Sequence, residues 1–267
     1  MIGKGFKRRF YAMVHLWCER EIQRIIAEEK QKAPDTLLAY GRKIYSQCDE
    51  DGIIAEIFRR IGTSTRICVE IGCGCGLENN THALLLSGWR GVWIDADKKE
   101  IARLLHALDY DEEKHAHLLA IACAKVTPDN AVDIVRKGLE KLGDAEAEPD
   151  FISVDIDSYD LPVVEALLAD FRPRAWCVEY NAKFPPPMRV HVPYEKDFAW
   201  REDDDQGASL AAWVALFAPH GYRLVGCSIA GTNAFFVRED LSAHFADTPW
   251  EALYQPPRYY LVYRFAG

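Results

Sequence analysis

No apolar run in the chain approaches the roughly 20 residues that a membrane-spanning helix needs, although 49% of its 267 residues are hydrophobic. No segment reads as a secretory leader, so a cytoplasmic location, extending to the inner face of the membrane, is expected. Positive charge is also scarce: 41 acidic residues against 32 Lys and Arg leave a net charge of −9. That argues against a nonspecific nucleic-acid binder, which would be basic, and no nucleic-acid partner is expected. The eight cysteines form no paired C-x2-C zinc pattern. Cys68, Cys123, Cys177 and Cys227 lie in apolar, strand-like runs, where cysteine acts as a small hydrophobe. Cys73 and Cys75 sit inside a glycine turn and read as turn residues.

What is present is an alternation of strand and helix signals. "RICVEI" is short, apolar and partly β-branched, as a buried parallel strand should be. A helix is expected over 78–87, closed by Gly88, and "GVWID" is a second strand. "HLLAIACAKV" holds a third strand, and Thr127-Pro128-Asp129 reads as a helix start. "DFISVDID" and "RAWCVEY" are the fourth and fifth strands, with "LPVVEALLADF" as the helix between them. "YRLVGCSI" and "NAFFVR" read as a closing hairpin. The pattern predicts an α/β fold with a doubly wound, mostly parallel seven-stranded sheet, an antiparallel late strand and N-terminal helices.

The expected organisation is an N-terminal helical segment over 1–61, an α/β domain over 62–240 and a C-terminal extension over 241–267. Within the domain, the long proline-rich and charged stretch at 182–208 reads as a lid insertion. Helical patterning dominates residues 5–61, with a break near Ala33–Asp35. Phe6, Phe10, Met13, Val14, Trp17, Ile22 and Ile25 fall at helical spacing behind a cluster of Lys4, Lys7, Arg8 and Arg9. Such a helix can pack on its own domain, join a second subunit as a homodimer, or make peripheral contact with an anionic membrane.

In open α/β sheets, ligands bind beyond the carboxyl ends of the strands. Strand one runs into Glu70-Ile71-Gly72-Cys73-Gly74-Cys75-Gly76, where glycines allow a sharp turn and a close approach to a ligand. Strand two ends at Asp95, 19 residues after Gly76, a spacing that suits a carboxylate binding a ribose diol. The position of a third dinucleotide-fingerprint glycine is Leu77, and no Lys-Ser/Thr pair follows, so neither a dinucleotide nor a P-loop site fits. An acid before the turn repels pyrophosphate and suits a cation. S-adenosylmethionine carries an ammonium, a sulfonium and a ribose, and is the expected cofactor.

"EIGCGCG" and "WID" resemble the first two motifs of class I S-adenosylmethionine-dependent methyltransferases. "YSQCDEDGIIAEIFRRIG", "ENNTHALLLSGWRGVWID", "FISVDIDSYD", "VEYN" and "GTNAFFVR" resemble FkbM-like members of that group, some associated with polysaccharide biosynthesis, over about residues 44 to 238. The resemblance implies a Rossmann-like methyltransferase fold. It also implies cofactor contacts at Glu70, Gly72, Gly74 and Asp95, with Asn80 and Thr81 near the turn and Gln47 and Asp51 approaching the same pocket. For Asn80 and Thr81, helix-start capping is the competing role.

A second acidic cluster follows strands four and five: Asp155, Asp157, Glu179 and Asn181. Asp155 and Asp157 are expected to point the same way, and Asp160 can cap the next helix. One carboxylate can act as general base on an acceptor hydroxyl. The four groups can instead hold a divalent metal such as magnesium, as in metal-dependent O-methyltransferases. They can also simply bind the methionine amine or acceptor hydroxyls. His191 in the long loop is a further base candidate. The expected activity is O-methylation of a small-molecule or saccharide acceptor. Asp155-Ile156-Asp157 also matches the D-x-D of metal-dependent glycosyltransferases, and a catalytically silent binding module is the remaining alternative.

Overall fold

The computed structural model of the protein describes residues 4–195 and 206–262. The apolar runs become β1 (Ile67–Ile71), β2 (Arg90–Asp95), β3 (Leu119–Cys123), β4 (Phe151–Val154) and β5 (Ala175–Glu179), all parallel to one another. β6 (Tyr222–Cys227) and β7 (Asn233–Arg238) form the hairpin, and β7 inserts between β5 and β6, antiparallel to both. The spatial order β3-β2-β1-β4-β5-β7-β6 is that of the doubly wound seven-stranded sheet predicted. From β1 the chain winds outward to β3, then returns to lay β4 against the other side of β1. The order of winding therefore reverses between β1 and β4, which opens a crevice at their carboxyl ends.

Helices cover both faces because alternate strand residues point to opposite sides. Val69, Val92, Ile152, Trp176 and Phe236 pack with α6 (Ala131–Lys141), α7 (Asp160–Leu168) and α8 (Leu210–Phe217). On the other face Cys68, Phe151, Cys177 and Phe235 meet Ile53, Ile57 and Phe58 of α2 (Glu50–Ile61) and Leu84 of α3 (His82–Leu86). Trp93 packs there with α4 (Lys98–Ala107) through Ile101 and Leu104, and α5 (Glu112–His115) is a single turn before β3. Since α2 forms part of the sheet's own cover, the expected boundary at residue 61 cuts through one packed layer.

Local differences from the sequence reading have local causes. α1 (Lys4–Lys32) ends at the expected break, but residues 41–49 are not helical, because Arg42 and the Asp51 side chain fold this segment back on α2. α3 begins at His82 rather than 78, since residues 72–81 wrap around the glycine turn. α6 begins at Ala131, with Asn130 Oδ1 accepting from Thr127 N in a preceding turn, so Thr127-Pro128 does not start the helix. β4 stops at Val154, which leaves Asp155 and Asp157 in a loop. The C-terminal extension is stitched to the domain: Tyr180 Oη donates to Gln255 O at 2.7 Å and Tyr254 Oη to Ala182 O at 2.6 Å. In the expected lid, residues 196–205 lie outside the described residues. Its feet are joined by the bridge His191–Ala208 and by Val192 N donating to Gly207 O at 3.0 Å.

Candidate active site

The crevice holds two adjoining lobes. The larger, of about 390 Å³, is bordered by Gly72, Gly74, Asp95, Lys125, Val126, Asp155, Asp157 and Tyr159. The smaller, of about 200 Å³, is bordered by Gln47, Glu70, Asn80, Asp155 and Asn233. Gly72, Gly74 and Asp155 border both lobes, so the lobes form one groove bent over the glycine turn.

Two glycines explain that turn. Gly72 has φ +90°, and a Cβ on it would lie 1.5 Å from the Asp155 carbonyl oxygen. It is glycine so that the loops after β1 and β4 can touch. Gly74 has φ +49°, and a Cβ there would meet no protein atom within 4 Å. Its bare face is turned to open space, where a bound molecule can approach the backbone.

Asp95 pins the same turn. Its Oδ2 accepts from Gly74 N and its Oδ1 from Asp97 N, each at 2.7 Å. A carboxylate has about four acceptor positions, which leaves about two for a vicinal diol. Ile94, Ala96, Val126 and Ile156 line the larger lobe around it, giving apolar surface for a flat base.

Glu70 is occupied differently from expectation. Its Oε1 accepts from Asn80 N at 2.8 Å, and its Oε2 from Thr81 N at 3.0 Å and from the Thr81 hydroxyl. Trp93 Nε1 in turn donates to that hydroxyl oxygen at 2.7 Å. Burial raises the Glu70 pKa, and these donors oppose the rise. Glu70 thus shapes the loop leading into α3 before it can meet a ligand. Thr81 is fully buried and borders neither lobe, so the expected cofactor contact is corrected to a relay between Trp93 and Glu70. Its side chain makes no capping bond either. Asn80 does border the smaller lobe, its Nδ2 held 3.1 Å from Ser153 Oγ.

Asp51 is also corrected. Its Oδ2 accepts from Ile44 N and Tyr45 N at 2.7 Å, from Ser46 N at 2.8 Å and from Ser46 Oγ at 2.9 Å. It faces a separate hollow with Arg42, Ile54 and Leu84 and borders neither lobe of the groove. Gln47, in contrast, reaches the smaller lobe as expected.

Carboxylate oxygens of Asp155, Asp157 and Glu179 lie within 4.8 Å of one another. Asp155 and Asp157 do not converge through strand alternation as the sequence suggested. Asp157 adopts φ +53°, a left-handed conformation that aspartate tolerates better than most residues, and this turns the loop back. Buried Asp160 holds the turn, its Oδ1 accepting from Ile156 N at 2.8 Å and its Oδ2 from Ser158 N at 3.0 Å. Burial pushes its own pKa up to about 6.

Burial and then the neighbouring Asp157 and Asp160 charges raise Asp155 well above the usual carboxylate range. Glu179 is raised the same way, by burial first and then by the Asp155 and Asp157 charges. Asp157 is the exposed member of the three, and desolvation by the loops around it, with the Asp95 charge, still raises it. The cluster is therefore built to hold a proton, a cation or a hydroxyl group.

Asn181 and His191 do not join it. The Asn181 side chain accepts from Lys183 N at 3.2 Å and donates to Gln206 O at 3.3 Å, which fastens the lid's feet. His191 is exposed and borders neither lobe, so its expected role as a base is corrected to a place on the lid's rim. The foot at Gly207 does reach the cluster: Gly207 N donates to Ser158 O at 2.9 Å, and a Cβ on Gly207 would lie 3.9 Å from Glu179 Oε2.

Asn233 lies within "GTNAFFVR", but no sequence pattern marks it as a site residue. Opposite Glu179 in the β5–β7 register, it borders the smaller lobe, and its Nδ2 donates to Glu50 Oε1 at 3.1 Å.

No family model matches the chain, and no curated protein matches it. Among solved structures it is similar to a protein described as a sarcosine dimethylglycine methyltransferase from Galdieria sulphuraria. The identity is 16% over 66% of this chain, with a TM-score of 0.41, and the match spans 62% of that protein's length. The methyltransferase domain of a bacterial CtHen1 is 15% identical over 70% of this chain and 96% of its own, with a TM-score of 0.44. The glycopeptide N-methyltransferase MtfA, solved with S-adenosyl-L-methionine, is 11% identical over 74% and 89%, with a TM-score of 0.42. Likeness at this level carries nothing about substrate or reaction, and the fold rests on the chain's own strand order, a seven-stranded, doubly wound Rossmann-like sheet with β7 reversed.

Proposed function

We propose that the protein is an S-adenosylmethionine-dependent methyltransferase acting on a hydroxyl group. The observation that carries this reading is the bent groove, with Asp95 in the wall of the larger lobe, Glu70, Glu78 and Glu100 in that of the smaller, and Asp155 of the acid cluster at their junction. The adenosyl part fits the larger lobe, with its ribose diol on Asp95 and its base among Ile94, Ala96 and Val126. The amino-acid part fits the smaller lobe, among Gln47, Asn80 and Asn233. When bound, the cofactor supplies an electrophilic methyl group.

The chain's own contribution is to hold, align and deprotonate the acceptor. A neutral alcohol is a weak nucleophile, and carboxylates with raised pKa values are stronger bases than ordinary ones. Asp155, which borders both lobes, and Glu179 beside it are the base candidates, and Asp157 faces the groove to accept a hydrogen bond from the acceptor. A saccharide acceptor is supported by the FkbM-like segments alone.

A second reading keeps the reaction and changes the activator. Three converging carboxylates suit a hard divalent ion, and Asp155, Asp157 and Glu179 would hold it, lowering the pKa of the acceptor hydroxyl. Activity lost to EDTA and restored by magnesium selects this reading; indifference to EDTA selects the protein base.

The cofactor assignment is tested by calorimetry. S-adenosylhomocysteine should bind, and Asp95→Ala should weaken it by about 1.5–3 kcal/mol, the scale of hydrogen bonds to a charged group. Binding of UDP or NAD with no heat from S-adenosylhomocysteine would overturn it.

A further inference from the structure

α1 has two apolar faces, and the fold covers only one of them. In its second half Cys18, Ile22 and Ile26 are buried, the isoleucines against Leu38, Ile229 and Leu261, with Cys18 Sγ 3.2 Å from Tyr260 O. In its first half Phe6, Phe10, Met13 and Trp17 are 63, 50, 70 and 53% exposed. At 100° per residue these four fall within an arc of about 60°, and that arc is centred about 150° from the buried face. The stripe therefore points away from the body of the protein. Folding cannot cover it by swinging the helix down, because the opposite face is already committed. Tyr260, itself 46% exposed, extends the stripe by packing on Trp17 at 5.8 Å between ring centroids.

The charge along α1 is as uneven as its exposure. Residues 1–18 contain four Lys and Arg and no Asp or Glu, in a chain whose net charge is −9. The stripe is mainly aromatic, and Phe and Trp suit the boundary between headgroups and acyl chains. No helix among the described residues is long and apolar enough to cross a membrane.

We propose that the first half of α1 is a membrane-surface anchor: Phe6, Phe10, Met13 and Trp17 enter the interface of an anionic bilayer while the N-terminal cations meet its headgroups. This placement sets the domain against the bilayer through the outward side of α1. A second copy of the chain suits the stripe less well. Parallel pairing brings two cationic ends together, and the stripe is about 17 Å long, a short seam for a stable dimer.

Each Lys or Arg near an anionic surface strengthens binding by about fivefold, and high salt removes that gain. The full-length protein is sedimented with vesicles of phosphatidylcholine alone and of phosphatidylcholine with phosphatidylglycerol. It should pellet with the anionic vesicles, and less at high salt. Phe10→Glu with Trp17→Glu should cut the bound fraction by at least about tenfold, since two inserted rings are replaced by charges. Binding of S-adenosylhomocysteine by the variant, compared with the parent, verifies that the domain is folded. Light scattering on a sizing column reads the alternative. Protein that stays in the supernatant with anionic vesicles overturns the proposal. So does equal pelleting of the double variant, or a solution dimer that Phe10→Glu converts to monomer.

Discussion

Replacing Glu179 by glutamine should stabilise the protein while disabling it. In the native state Glu179 lies within 4.8 Å of two other carboxylates, and its pKa is raised by burial and by Asp155. Two unit charges at that distance repel by about 3.5 kcal/mol at an effective dielectric constant of about 20. Asp157 is exposed, so its share is screened by solvent. A net gain of about 1–3 kcal/mol is left for a neutral isostere, or about 2–4 °C in Tm per kcal/mol for a chain of this size.

The pH dependence identifies the cause. A carboxyl whose pKa is raised by folding adds stability that is complete below its unfolded pKa and lost as pH rises through the folded value. Thermal melts of parent and Glu179→Gln should therefore coincide in acid, below the ordinary range of about 4.3 for glutamate, and separate toward alkaline pH. Methyl transfer to a genuine acceptor should meanwhile fall by about 10²-fold or more, the scale of losing a general base. A variant that melts below the parent at alkaline pH, or by a constant difference at every pH, would falsify the account of the cluster as mutually repelling acids.

Three further outcomes separate structure from ligand contact. Gly74→Val should abolish S-adenosylhomocysteine binding in calorimetry while the protein still melts cooperatively, because the new side chain enters open groove space and its positive φ adds only local strain. Gly72→Ala should instead fail in the melt itself, since the methyl would overlap the Asp155 carbonyl. Asp51→Ala should lower stability by about 1–3 kcal/mol in a denaturant titration, the scale of leaving buried donors without their acceptor, yet shift S-adenosylhomocysteine affinity little; a selective loss of affinity would return Asp51 to the site.

The strands were legible because a buried parallel strand is written as a short apolar run, and their acidic ends were legible because charge stands out against that background. Gln47, Gly74, Asn80, Asp95, Asp155 and Asp157 accordingly border the groove. What local pattern could not carry was partnership across the chain. Thr81 looked like a cap, but its hydroxyl is claimed by Glu70, 11 residues earlier, and by Trp93, 12 residues later. Asp51 looked like a pocket acid, but four donors from 44–46 had already claimed it. Asn181 stood beside the right residues in sequence, and the lid's backbone took its amide. Asn233 was invisible for the opposite reason, since nothing in "TNAFF" announces which end of its strand will face the groove.

That last point follows from the reversed direction of β7. The parallel strands β1, β2 and β4 deliver to the groove whatever follows the end of a strand, so their site residues are set by loops leading into helices. β7 runs the other way and delivers its first residue, directly after the tight turn at 228–232. Ser228 Oγ accepts from Asn233 N at 3.0 Å and Glu50 holds the Asn233 amide, so turn, strand and α2 fix one side chain from three directions. A change of turn length here would slide the hairpin register and exchange Asn233 for a neighbour facing the other side of the sheet. The smaller lobe thus has one wall that insertions can retune as readily as substitutions can.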